Sequence, residues 1–213
     1  MLDEFQSEKI EQLITDYPGR VFDFLDSCNK SQWQSKLWII DELNLYLFKY
    51  GKRKPNRFAI LGGWYGLLAE IIYENIGVEI EGITSIDSDS LSADIGWIFC
   101  KDTDVINFEI NDIKNLNYGD YYDVILNTSV EHMEQSVVDY SIEVASPGTV
   151  FVLQSNNLFE LSEHINCSKS ETEFNKNFVD KLDNVVHFTK PWPTDYGRDN
   201  WERYMLMGVK KNG

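Results

Sequence analysis

Two Glu-His pairs stand out among the residues able to do chemistry, Glu131-His132 and Glu163-His164. Carboxylates and imidazoles take and return protons near neutral pH, so Glu131, His132 and His164 are candidate acid–base or substrate-orienting groups. Asn127-Thr128-Ser129 precedes the first pair, and Gln154-Ser155-Asn156-Asn157 precedes the second. The Asn127 amide can orient a nucleophile or an amine, while Ser129 and Glu131 equally suit a helix N-cap and a first-turn acid. Two His and two Glu could bind a metal in principle. Adjacent residues on a helix or strand point apart, however, and no H-x-x-x-H spacing occurs, so no metal is expected. His187 lies within an apolar run and reads as structural.

A second group of residues suits a nucleoside-like ligand. Gly62-Gly63-Trp64-Tyr65-Gly66 closes the apolar run Phe58-Ala59-Ile60-Leu61 and opens into a helical pattern. Glycines there let the backbone pass close to a ligand, and a helix start presents unpaired amides. Asp87, followed by Ser88, lies 21 residues beyond Gly66, about where an acid hydrogen-bonds the two hydroxyls of a ribose. Asn111-Asp112 ends a further apolar run, where an acid can accept a hydrogen bond from an exocyclic amine. Trp64 and Tyr65 would crowd a dinucleotide pyrophosphate, but a cation over either ring would gain roughly 0.5–2 kcal/mol.

The elements that must position these residues follow from periodicity. After the turn at Pro18-Gly19 come Phe22, Phe24 and Leu25. An amphipathic helix is expected over residues 35–50, with Leu37, Ile40, Leu43, Leu47 and Phe48 on its apolar side, ended by Gly51 and Pro55. Strands are expected at 58–61, 79–86, 105–110, 123–126 and 149–153, with helices at 67–75 and 91–100 between the first three. Two more strands at 185–189 and 204–209, joined through Pro191, Pro193 and Gly197, suit an antiparallel pair. Alternating strands and helices imply an α/β fold, a Rossmann-like doubly wound seven-stranded sheet with a terminal antiparallel pair, preceded by N-terminal helices. The expected organisation is a helical cap over residues 1–55 and a ligand-binding unit over 56–213, compact as one domain. In such sheets ligands lie at the carboxyl ends of the strands, where all the candidate residues fall.

Composition narrows the partners. With 35 acidic and 19 basic residues the formal charge is −16, which repels phosphate backbones and anionic membranes. The dense basic run Lys52-Arg53-Lys54 is too short to form a groove. Cys28, Cys100 and Cys167 are widely spaced and indicate neither a disulfide framework nor a thiolate metal site. The acidic, polar start MLDEFQSEKIEQ resembles no signal or transit peptide, and no apolar run approaches the about 18 residues of a membrane span. A soluble, cytoplasmic protein of a reducing compartment is expected.

Taken together, LGGWYG, IDSDSLSADIG, INDIKNL and YDVILNTSVEHM resemble the class I S-adenosylmethionine (SAM)-dependent methyltransferases, from about Arg57 to Lys210. More narrowly, LGGWYG with NTSVEH and LQSNN is similar to small methyltransferase-like proteins, several from bacteriophages. The resemblance implies SAM as cofactor, held by Gly62, Gly63, Trp64, Tyr65, Gly66, Asp87, Ser88, Asn111, Asp112, Asn127 and Ser129. It implies transfer to a small-molecule acceptor, with Asn127, Glu131, His132 and His164 on the reaction side, no nucleic acid or membrane partner, and compatibility with a homodimer. Two positions depart from the family. Trp64 stands at its usual second glycine, and Ile60 at the first-strand acid that helps hold the methionine ammonium. These departures fit an alternative, a SAM-consuming cyclase or aminocarboxypropyl-type enzyme releasing methylthioadenosine, like azetidine-2-carboxylate synthases. A further alternative is a non-catalytic SAM-binding module, with the same cofactor-side residues but no need for Asn127, Glu131 or His132. The N-terminal helix carrying Trp33, Lys36 and Trp38, and the segment Pro191 to Trp201, are candidates to cover the site.

Overall fold

A computed structural model describes residues 4–50, 57–100, 104–116, 121–192 and 201–212. The run Lys52-Arg53-Lys54, and residues 193–200 of the segment from Pro191 to Trp201, lie outside the described residues. Helices α1 (Glu4–Asp16), α2 (Val21–Ser27) and α3 (Lys30–Tyr50) precede β1 (Arg57–Leu61), α4 (Leu67–Asn75), β2 (Gly82–Asp87), α5 (Ser90–Phe99) and β3 (Ile106–Ile110). There follow β4 (Val124–Asn127), α6 (Gln135–Val144), β5 (Val150–Asn156), α7 (Glu171–Lys176), β6 (Leu182–Pro191) and β7 (Glu202–Lys210). The strands form one sheet in the order β3-β2-β1-β4-β5-β7-β6. β1 to β5 run parallel, and β7 is antiparallel to both β5 and β6.

Side chains alternate across the pleat, and each face has its own helices. Phe58, Ile60, Val124, Leu126, Val152, Met205 and Met207 pack with α3 and α4 through Ile39, Leu43, Leu68 and Ile72. Ala59, Leu61, Ile125, Phe151, Leu153, Tyr204 and Leu206 pack with Val138, Ile142, Phe174 and Phe178. Every residue of β4 and β5 is buried, which is why Val124–Leu126 and Val150–Leu153 read as continuous apolar runs rather than alternating ones.

The buried side of α3 differs from the expected stripe. Ile40, Leu43 and Leu47 are buried together with Ile39 and Tyr46, whereas Leu37 is 39% and Phe48 93% exposed. Successive helical residues lie about 100° apart, so a face centred on Leu43 turns Leu37 and Phe48 toward solvent. β2 begins three residues later than expected and reaches Asp87. β5 runs on to Asn156 because β7 continues the ladder, pairing Gln154 with Met205, Ser155 with Tyr204 and Asn156 with Arg203.

Register fixes what the strand ends present. Leu61 lies beside Ile86 on one side and beside Asn127 on the other, so the loops after β1, β2 and β4 leave the sheet at one level. Strand order reverses between β1 and β4, and the crevice opens there. The helices α1 and α2 close over the first of these loops, where Leu13, Phe24, Tyr65 and Ile95 form a separate apolar cluster. No helix among the described residues is long and apolar enough to cross a membrane.

Leu43 is fully buried against the sheet. Leu43→Ala is expected to cost about 2–5 kcal/mol, measured as a lowered urea midpoint with an unchanged slope. A loss below about 1 kcal/mol would mean that α3 rests on the sheet without sharing its core.

Candidate functional site

The loop after β1 is shaped by its backbone. The Gly62 and Gly63 amides both donate to the Ile86 carbonyl, at 2.9 and 3.0 Å, drawing the chain sharply across the end of β2. Gly62 and Gly66 have φ of +67° and +84°, and Gly66 begins α4. A methyl group on Gly63 would stand 2.0 Å from Ser85 Oγ. Trp64 has φ of +50°, the left-handed conformation that costs a non-glycine residue roughly 1–2 kcal/mol. Trp64 thus takes a backbone conformation that favours glycine. Two contacts offset the strain. The Trp64 amide donates to Asp87 Oδ2 at 3.0 Å, and its ring stacks on Tyr65 at 5.3 Å.

Asp87 therefore serves two loops, because its Oδ1 accepts from the Asp89 amide at 3.0 Å. Each carboxylate oxygen keeps a second lone pair for a ligand. Asp89 caps α5 and pairs with Arg20, tying the N-terminal helices to the same rim. The Asn111 amide bonds the Asp87 carbonyl at 3.0 Å, and its side chain donates to Glu109. Asp112 Oδ1 caps the short turn Ile113–Asn115. Gly62, Gly63, Trp64, Tyr65, Asp87, Ser88, Asn111 and Asp112 all line one cavity of about 1040 Å³. Gly66 is set behind it, below the Phe108 ring.

The far side of this cavity carries the acid–base candidates. Ser129, Glu131, His132 and His164 line it, but Asn127 does not. Asn127 is fully buried. Its Oδ1 accepts from the Ser129 amide at 3.1 Å and its Nδ2 points to Met133 Sδ at 3.3 Å, so the side chain shapes the turn behind the cavity wall. Val130–His132 form a single 3-10 turn in which Ser129 makes no side-chain cap. Ser129 Oγ faces the Gly62 carbonyl at 3.5 Å, joining the exits of β1 and β4. Glu131 is 4% exposed, and its Oε1 accepts from Asn156 Nδ2 at 2.8 Å. The His132 and His164 rings meet edge to face, with centroids 4.7 Å apart. His187 lies apart on β6, paired with Glu171 at 3.0 Å.

Two cations complete the wall. Lys36 and Arg203 line the cavity with Gln32 and Trp201. Lys36 Nζ donates to Gln32 at 2.7 Å, and Arg203 Nη1 donates to Ser35 Oγ at 2.9 Å. Arg203 also lies beside the rings of Trp192 and Trp201, at 5.5 and 5.6 Å. Burial, with Arg203 nearby, pushes the Lys36 ammonium down to about 7. Burial also lowers His164, and it raises the Cys167 thiol to about 11. Of the three residues expected on the covering helix, Lys36 alone lines the cavity. Trp38 is buried in the core and Trp33 is 38% exposed. Arg203 and the bond from Asn156 to Glu131 escaped the sequence reading. Both depend on the pairing of Asn156 with Arg203 across β5 and β7, which short-range periodicity does not encode.

No protein-family model and no curated protein matches the chain. Its architecture does match solved methyltransferases. N-methyltransferase NodS from Bradyrhizobium japonicum WM9, in complex with S-adenosyl-L-homocysteine (SAH), superposes with a TM-score of 0.66 at 15% identity over 99% of this chain and 100% of that one. The plantazolicin methyltransferase BpumL in complex with SAH gives 0.65 at 14% identity, over 99% and 100%. The CurJ carbon methyltransferase gives 0.67 at 12% identity, over 97% of this chain and 71% of that one. The fold is that of the class I SAM-dependent methyltransferases.

The Lys36 environment sets a pH dependence. Its pKa is depressed from 10.5 to about 7 in the folded protein. Between those values the unfolded chain holds a proton that the folded chain has released, so stability rises with pH, and below about 7 the burial cost is felt in full. Lys36→Met should be more stable than wild type near neutral pH, with the difference shrinking as pH approaches 10.5. Urea unfolding across that range checks this, and a difference independent of pH contradicts it.

Proposed function

We propose that this chain is a SAM-dependent methyltransferase acting on a small molecule. The observation carrying the reading is one cavity that joins the Gly62–Tyr65 loop and Asp87 to Glu131, His132 and His164. At about 1040 Å³ it stands at the top of the roughly 300–1,000 Å³ range of small-molecule sites, with room for a nucleoside cofactor beside a compact acceptor. The methyltransferase fold supports the same reading.

The cofactor fits the residues present. The spare lone pairs of Asp87 take the ribose hydroxyls, and Asp112 offers an acceptor to an adenine amine. The half-buried Trp64 ring on the cavity wall suits a sulfonium, whereas Tyr65 is packed against Phe24. Bound SAM supplies a methyl group on a positively charged sulfur, which leaves as the neutral thioether when an acceptor lone pair bonds the methyl carbon. Glu131, His132 and His164 orient that acceptor and receive its proton, acting by positioning and water exclusion as much as by acid–base chemistry. Lys36 and Arg203 suit a negatively charged group on the acceptor.

The second reading, SAM consumption with release of methylthioadenosine, draws on one feature. Ile60, at the position of the family's acid, is buried between β1 and the helices, so the methionine end must be anchored by other groups. Mass spectrometry of the protein incubated with SAM alone separates the two. Methyl transfer predicts intact SAM until a small nucleophile is added, and then SAH. Methylthioadenosine without any acceptor overturns methyl transfer in favour of attack on the methionine chain.

A further inference from the structure

The reaction-side lone pairs, read above as proton acceptors, are arranged so that a metal ion can take them in place of a proton. Glu131, His132 and His164 bring one donor atom each to within 4.8 Å of one another. They come from two separate loops, the turn after β4 and the segment after β5. Neighbouring residues on a regular helix or strand diverge, the ground on which no metal was expected. Here a single tight turn presents Glu131 and His132 to the cavity, and His164 arrives from across the crevice.

Three details fix these groups as electron-pair donors. His132 Nδ1 lies 3.2 Å from the Glu163 carbonyl, and His164 Nδ1 lies 3.0 Å from the Leu158 carbonyl. A carbonyl oxygen only accepts, so each Nδ1 carries the proton and each Nε2 is left with a lone pair. Backbone carbonyls hold metal-ligating histidines in this way, setting the tautomer and the ring orientation. Glu131 is held likewise, its Oε1 anchored by Asn156 Nδ2 at 2.8 Å. Its other oxygen, Oε2, is buried with no hydrogen-bond partner. A carboxylate oxygen removed from water without a donor is costly. Lys36 and Arg203 are near enough to feel the charge of Glu131, yet no described ion pair joins either to it.

We propose that Glu131 Oε2, His132 Nε2 and His164 Nε2 bind one divalent transition-metal ion, of the class of Zn²⁺, Co²⁺, Fe²⁺ or Mn²⁺, with its remaining positions open to the cavity. Two imidazoles and one carboxylate suit these ions, whereas Mg²⁺ and Ca²⁺ prefer all-oxygen surroundings. Three protein ligands with an open position are the pattern of sites that bind a reacting group, and a structural zinc site would be closed by a fourth. Cys167 does not supply that fourth ligand. Its thiol donates to Asn156 Oδ1 and the Leu158 carbonyl. Ligand atoms about 2.0–2.2 Å from zinc stand about 3.5 Å apart in a tetrahedron, so side chains whose donor atoms lie within 4.8 Å of one another must draw together on binding. The open positions would take an oxygen or nitrogen of the acceptor. That last assignment rests on the methyl-transfer reading; the metal site itself does not.

The test uses tag-free, chelator-treated full-length protein titrated with Zn²⁺ against a chromophoric competitor, and with Co²⁺ followed by visible absorption. SAH binding is measured on each sample by calorimetry. One Zn²⁺ per chain is expected, with a Co²⁺ spectrum lacking a thiolate charge-transfer band. Glu131→Gln and His164→Ala should each weaken Zn²⁺ binding by about tenfold or more, while His187→Ala and Cys167→Ser leave it unchanged. Absence of saturable binding to the wild type overturns the site, as does unaltered affinity in both ligand variants. A thiolate band, or loss of binding on Cys167→Ser alone, also overturns it. The wild-type spectrum decides the matter even if a variant fails to fold. SAH binding without metal binding removes the metal site and leaves the proposed function standing, and metal binding without SAH binding does the reverse.

Discussion

The Asp87 carboxylate is the interaction on which the rest of the site depends. Its two oxygens accept from the amides of Trp64 and Asp89, locking together the loops that follow β1 and β2. Trp64 can hold the left-handed conformation of a glycine because that amide has a charged acceptor waiting for it and because its ring has Tyr65 to stack on. Hydrogen bonds to charged groups are worth about 1.5–3 kcal/mol, comparable with the backbone strain they offset. The same carboxylate lines the cavity, so one residue both shapes the loop and keeps lone pairs on the cavity wall. The N-terminal helices depend on this arrangement in turn, since Arg20 pairs with Asp89 and Phe24 packs on Tyr65.

The opposite wall is built by long-range pairing. Because β7 runs antiparallel to β5, Arg203 is set beside Asn156, and Asn156 in turn holds Glu131. A residue from the last strand, one from the first long helix and one from the turn after β4 thus meet in the cavity whose other wall carries Asp87 and the loop after β1. Most polar groups buried in this way are satisfied through one another, whereas Glu131 Oε2, Arg203 Nε and Trp201 Nε1 on this wall are buried without a hydrogen-bond partner.

Much of this was legible in the sequence, for physical reasons that can be named. The strand Phe58–Leu61 and the helix Leu67–Asn75 read clearly because fully buried parallel strands form uniform apolar runs and glycines punctuate them. The placement of Asp87, Ser88, Asn111 and Asp112 around one cavity followed from chain topology alone. Asn127 ends a strand, which suits an amide that orients an amine or a nucleophile, yet its side chain turns back onto its own loop and accepts from the Ser129 amide. The outward positions of Leu37 and Phe48 were hidden because several apolar residues of α3 compete for one buried face. Lys36 was visible only as a residue on a covering helix, and Arg203 not at all, since strand register decides where it points.

Calorimetric titration of SAH into wild type and Asp87→Ala decides whether the Asp87 loop is a nucleoside site. The account predicts saturable binding to the wild type and an affinity lower by about tenfold or more in the variant, the loss expected from removing hydrogen bonds to a charged acceptor. Equal affinity in the two proteins, or no binding to either, would contradict it.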